Sequence, residues 1–252
     1  MIVEAACFAT QRAAPGARRA GLAYEQAALV GRFLRCRSAW AAHLARCRGF
    51  ILRCAEAVPQ RRRVVVLGSG PLLDIPLARL SALFSEVVLI DAVHPLHARW
   101  FARRLGNVDA RCASLVAFDT PTPVYRSWRR VVPDADLVVA SMLISQLPLL
   151  RVVHASKENQ TWRRHLIAAA LGDLLDGSQP SCLITETSRV FPEGGTEVED
   201  PLLGNAPPPS LEVWTWVLSP PGERPQGAVS LTVSASFQTG SMPSMTKPWS
   251  SG

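Results

Sequence analysis

Five short apolar runs constrain this chain more than any other feature. They are VVVL at 64–67, EVVLID at 86–91, DARCASLV at 109–116, DLVVAS at 136–141 and SCLITE at 181–186. Each is too short for a helix, and most are rich in Val, Ile and Leu, so each reads as a strand. Between them the apolar spacing turns helical: DIPLARLSALF at 74–84, LHARWFARRL at 96–105 and TWRRHLIAAALGDLLD at 161–176. Strands alternating with helices imply a mostly parallel sheet covered on both faces.

The two ends depart from that alternation. Residues 192–210, rich in Pro, Gly and acids, read as a long loop. LEVWTWVL at 211–218 and AVSLTVSASF at 228–237 alternate as strands around the turn-rich SPPGERPQG. They form a hairpin, which places an antiparallel strand at the sheet edge. Upstream, residues 1–20 lack periodicity and read as a loose arm. Residues 22–58 read as two helices broken near 35–38 or at Gly49, with Pro59 as the stop. The expected fold is therefore α/β: a doubly wound, mostly parallel sheet of about seven strands with a C-terminal antiparallel hairpin and an N-terminal helical segment. An arm and helical cap cover 1–63, the sheet domain 64–237, and a tail expected to be disordered 238–252.

Charge is unevenly placed. Residues 1–63 carry twelve Arg against Glu4, Glu25 and Glu56, whereas the rest of the chain is nearly balanced within a net charge of +7. Such a segment would suit nucleic acid or another polyanion. However, 25 Arg stand against only Lys157 and Lys247 across the whole chain, which favours a compositional bias. No run approaches the ~18 apolar residues of a membrane span, and MIVEAACFATQR lacks the features of a secretory signal, so a cytoplasmic location without membrane contact is expected. The six cysteines form no Cys-x-x-Cys pair and read as free thiols. His43 and Cys47 share a helical face, but Trp40, Leu44, Cys47, Ile51, Cys54 and Val58 make a core stripe, and no metal site is expected.

The chemistry lies where the strands end. In an open α/β sheet, ligands sit beyond the carboxyl ends of the strands, at the switch in strand order. The first strand ends in Gly68-Ser69-Gly70, where a ligand can approach bare backbone and a following helix offers free N–H groups. The second ends in Asp91, 23 residues after Gly68. A carboxylate there can accept from both hydroxyls of a ribose. Together they point to an adenosine-type ligand. A dinucleotide fingerprint would need a third glycine where Leu73 stands, and Pro71 removes a backbone donor, so a pyrophosphate cradle is weakened. S-adenosylmethionine carries adenine, ribose and a sulfonium amino acid but no phosphate.

At these residues the chain resembles a known group. VVVLGSGPLLDIP, VVLIDAVHP and DADLVVASMLISQLP look like the first, second and fourth motif regions of class I S-adenosylmethionine-dependent methyltransferases, which have a Rossmann-like fold. The resemblance covers roughly 60–237. It implies S-adenosylmethionine as cofactor. Gly68, Ser69 and Gly70 would lie along its methionine and ribose, Asp91 on the ribose hydroxyls, and Ala92 beside the adenine. Ser114 or Leu115 would meet the adenine edge, and Ser141 and Met142 would face cofactor and substrate. The chain differs from the family at Val66, where an acid is common, and Asp74 would replace it near the cofactor's amino group.

Plainer readings stand beside these. Asp74 can cap the helix that follows it, Asp91 its own following segment, and Ser141 and Gln146 can be loop residues. Gln146 and Glu186 are the substrate-side candidates, and Glu186 and His165 the candidates for a general base. The acceptor is unassigned. The arginines at 32, 35, 46 and 53 could receive an anionic substrate or form a solvated face. The reaction implied is methyl transfer by in-line displacement. The alternatives are a non-catalytic binding or scaffold protein on the same fold and, less favoured, a nicotinamide dehydrogenase.

Overall fold

A computed structural model describes residues 2–117, 123–149, 157–177, 179–191, 197–224 and 227–240. The tail expected to be disordered lies almost wholly outside them. At the centre of the sheet is β1 (Arg63–Leu67), whose valines are fully buried. Its neighbours are β2 (Glu86–Asp91) and β4 (Leu137–Ser141), both parallel, with Val65 opposite Val88 on one side and Val138 on the other. Beyond β2 lies β3 (Val108–Cys112), and beyond β4 lies β5 (Ser181–Phe191). The hairpin strands β6 (Glu212–Ser219) and β7 (Val229–Gln238) complete the order β3-β2-β1-β4-β5-β7-β6, with Glu197–Glu199 pairing on β5. This is a Rossmann-like, doubly wound topology. The chain winds outward from β1 to β3, then returns past β1 to β4, which places the switch point between β1 and β4.

The hairpin is present, but the antiparallel strand is not the edge. β7 inserts between β5 and β6, so the edge strand β6 runs parallel to the body of the sheet. β5 outruns the expected 181–186 because β7 pairs with it from Ser181 to Val190. A bulge in that pairing, between Thr232 and Val233, shifts the side-chain alternation of β5 beyond Glu186.

Side chains alternate along β1, so Val64 and Val66 enter one core layer while Val65 and Leu67 enter the other. The first layer lies under the helices α2 (Leu22–Ala57), α3 (Leu77–Leu83) and α4 (Leu96–Leu105). The second lies under α5 (Lys157–Leu174), with Trp128 beside Leu166, Ile167 and Leu174. No helix among the described residues is long and apolar enough to cross a membrane.

The N-terminal segment corrects two expectations. Residues 2–20 are no loose arm: α1 (Ile2–Thr10) packs on α2, and Gly31 makes room for it, since a Cβ there would lie 2.1 Å from Glu4 Oε1. Nor is α2 broken at 35–38 or at Gly49. Trp40, Leu44, Cys47, Ile51 and Cys54 keep one face buried throughout, and that burial outweighs the ~1 kcal/mol helix penalty of a single glycine. The arginines of α2 divide their roles. Arg35 bonds Glu4 (3.1 Å) and Glu223 (2.9 Å), Arg53 pairs with Glu212, and Arg46 lies over the ring of Trp214. Only Arg32 of the four faces the cavity described next.

Candidate functional site

Beyond the carboxyl ends of β1 to β5, and under the N-terminal half of α2, lies a cavity of about 430 Å³. Gly68, Ser69, Gly70, Asp74, Asp91, Ala92, Ser114, Leu115, Ser141, Met142, Gln146 and Glu186 all line it. His165 does not: it is exposed on α5.

The turn after β1 is built for close approach. Gly68 (φ 68°) and Gly70 (φ 46°) are left-handed, a region open to glycine at little cost. A Cβ on Gly68 would sit 2.8 Å from Leu143 Cδ1, and one on Gly70 3.3 Å from Gln26 Nε2. Three backbone donors around this turn are engaged within the protein. Gly68 N–H donates to Ile90 O (2.9 Å), Gly70 N–H to Asp91 Oδ2 (2.8 Å) and Leu72 N–H to Ser69 O (3.0 Å), while Pro71 has none. The helix offers no substitute. It begins at Leu77 rather than 74, because Pro76 bars Ile75 from helical backbone. α3 therefore does not supply the N–H cradle expected at a helix start directly after the turn.

Asp91 closes the far side. Its Oδ1 accepts from Val93 N–H (2.9 Å) and its Oδ2 from Gly70 N–H. Two bonds leave further lone pairs on the carboxylate. Burial pushes its pKa up, partly opposed by His94 and by those backbone donors. The N-terminal segment runs along the same rim: Arg12 and Ala13 pair with His94 and Val93, and Ala14 N–H donates to Ala92 O (2.8 Å). Ser114 folds on itself, its hydroxyl donating to Val116 O (2.8 Å).

Asp74 is not a helix cap, since the cap position is Pro76. Ser141 Oγ donates to Asp74 Oδ2, and burial pushes that carboxyl up as well. The next residue, Met142, is left-handed at φ 53° with its N–H on Ile184 O (2.8 Å). A non-glycine residue held there stores about 1–3 kcal/mol of strain, a feature that clusters at ligand sites.

Sequence reading missed part of the lining. Besides Arg32, Gln26, Trp40 and His43 reach the cavity from α2, Arg189 from β5 and Trp216 from β6. His43 stacks flat on Trp216 with ring centroids 3.9 Å apart, and its Nδ1 accepts from Trp214 Nε1 (3.1 Å). That places the imidazole proton on Nε2, and burial lowers the ring's pKa to about 3. Cys47 Sγ lies 3.6 Å from Nε2, its thiol pushed up by burial. The usable signal was the Trp214-x-Trp216 spacing, which puts both indoles on one face of a strand.

No family model matches the chain, and no curated protein matches it. Among solved structures it is similar to 1,6-didemethyltoxoflavin-N1-methyltransferase of Burkholderia thailandensis, bound to 1,6-didemethyltoxoflavin and S-adenosylhomocysteine. The identity is 15% over 90% of this chain and 92% of that one, with a TM-score of 0.46. It is also similar to the N-methyltransferase NodS of Bradyrhizobium japonicum WM9 with S-adenosylhomocysteine: 12% identity, 76% and 85% coverage, TM-score 0.38. A third similarity is to DhpI in complex with SAH, at 16% identity, 91% and 100% coverage and TM-score 0.41.

Proposed function

We propose that this chain is an S-adenosylmethionine-dependent methyltransferase acting on a small molecule. One observation carries the reading. The crevice at the switch point joins a glycine turn, with the N–H groups of Gly68 and Gly70 engaged internally, to a carboxylate, Asp91, at the end of the neighbouring strand. A pyrophosphate needs free N–H groups at such a turn; an adenosyl sulfonium needs close backbone and an acceptor for its ribose. The engaged Gly70 N–H and the missing donor at Pro71 tell against a nicotinamide dinucleotide.

The surrounding residues fit this cofactor. Ser69 Oγ and Gln26 Nε2 are buried beside the turn without a partner among the described residues, and are available to a ligand's polar groups. Gly68 and Gly70 would lie against the methionine and ribose, Asp91 on the diol, and Ala92, Ser114 and Leu115 around the adenine. Asp74 and Ser141 would face the amino-acid end, with Met142 and Gln146 towards the acceptor. When bound, the sulfonium supplies an electrophilic methyl group: the acceptor's lone pair bonds to carbon as the carbon–sulfur electrons leave to sulfur. The chain's part is to hold two molecules in line and exclude water, and Trp40, Leu44 and Met142 wall the cavity for that purpose.

Calorimetry with S-adenosylmethionine and S-adenosylhomocysteine tests the reading. Both are expected to bind, and Asp91→Ala is expected to weaken each at least tenfold. No binding at millimolar cofactor overturns it. That result would leave the second reading, a non-catalytic protein on this fold. It is favoured by one fact: Asp91 and Asp74 are each already hydrogen-bonded within the chain.

A further inference from the structure

The side of the cavity lined by Glu186, Arg189, Arg32 and Trp216 gathers polar atoms left without partners. Glu186 is only 2% exposed. Its Oε1 accepts from Arg189 Nη2 (2.6 Å), but its Oε2 has no partner among the described residues. Three donors around the same cavity are equally unmet: Arg189 Nε, Arg32 Nε and Trp216 Nε1, the last on a side chain held by the His43 stack. The bulge beyond Glu186 explains why two residues three apart on one strand face the same space.

Leaving such groups buried and unpaired costs about 1–3 kcal/mol each, and four of them sit on residues that line one cavity, where a bound molecule has partners to supply. Their chemistry is one acceptor among several donors. A cationic amine would meet two guanidiniums, with the lone carboxylate already paired to one of them. A phosphate or carboxylate would confront Glu186. A lactam or hydroxy-carbonyl offers one carbonyl to several donors. An imide offers an N–H flanked by two carbonyls, the complement of an acceptor flanked by donors. Trp40 and Trp216 add apolar ring surface to the lining, which suits a small ring.

We infer that this side of the cavity binds a small neutral ring carrying an imide: the N–H donates to Glu186 Oε2 and the carbonyls accept from Trp216 Nε1 and the arginines. The inference rests on the methyl-transfer reading only in calling that molecule the methyl acceptor.

Three six-membered rings of matched size test it: glutarimide, δ-valerolactam and piperidine, which differ in having two, one and no carbonyls. Binding is measured by ligand-observed NMR, with and without saturating S-adenosylhomocysteine. Glutarimide is expected to bind at least fivefold more tightly than the lactam, with piperidine weakest. Glu186→Gln and Trp216→Phe are each expected to weaken glutarimide at least fivefold and to leave S-adenosylhomocysteine affinity unchanged. Thermal melts identify a variant that fails to fold, in which case the ring series on the unmodified protein decides alone. Piperidine binding as well as glutarimide, or glutarimide indifferent to both folded variants, overturns the inference. Failure of S-adenosylhomocysteine to bind overturns only the methyl-transfer reading, because the ring series is also run without it.

Discussion

Ser141 Oγ donates to Asp74 Oδ2, tying the end of the fourth strand to the turn after the first. The bond spans the switch point, so it braces the two walls of the cleft against each other. Asp74 is a part-buried carboxyl whose pKa burial pushes up and this hydroxyl pulls down.

Ser141→Ala should therefore destabilise the protein by about 1 kcal/mol, because it removes a hydrogen bond from a part-buried acceptor. The double variant Ser141→Ala/Asp74→Leu removes both partners and should recover most of that loss. Urea unfolding at pH 7 measures both. A double variant no more stable than Ser141→Ala would show that the bond is incidental.

Gly68 gives the next expectation. At φ 68°, any side chain costs about 1–2 kcal/mol of backbone strain. Its Cβ would also fall 2.8 Å from Leu143 Cδ1, and overpacking of that kind adds about 1–3 kcal/mol. Gly68→Ala should lose both amounts. In a double-mutant cycle with Leu143→Ala, the steric part should appear as a favourable coupling of about 1 kcal/mol or more. Strict additivity in urea unfolding would mean that Leu143 simply turns aside.

The sheet was legible because its strands are short runs of Val, Ile and Leu that have no other stable use. Gly68-Ser69-Gly70 and Asp91 were legible for a related reason, since a strand fixes where its last residue points. What escaped reading depends on contacts between distant segments. α1 becomes a helix where Gly31 lets Glu4 approach α2. α2 is continuous because the sheet beneath it buries its whole stripe. The start of α3 turns on one proline, and the spacing of apolar residues did not weigh that constraint. That part of the cavity lining needs His43 to meet Trp214, 171 residues away, and no local pattern encodes that meeting. His165 was named for its chemistry alone, and its helix turns it outward.

His43 carries the last expectation, a dependence of stability on pH. Folded, the ring is neutral: burial holds its pKa at about 3, and Nδ1 is occupied by the Trp214 N–H. Unfolded, it titrates near the ordinary value of ~6.5. Between those values the unfolded chain takes up a proton that the folded chain refuses. The stability due to neutral His43 is therefore complete above ~6.5 and declines as pH falls towards 3, by about 2 kcal/mol at pH 5. Asp74 and Asp91 act in the opposite sense, because their raised carboxyls bind protons more readily when folded. A comparison at one pH would mix these effects, whereas the difference in slope between two proteins isolates His43. His43→Gln keeps an oxygen to accept from Trp214 and removes the titration. From pH 7 to pH 5, the unmodified protein should lose about 2 kcal/mol more than the variant, as measured by urea unfolding. Equal losses would place the acid-sensitive group elsewhere.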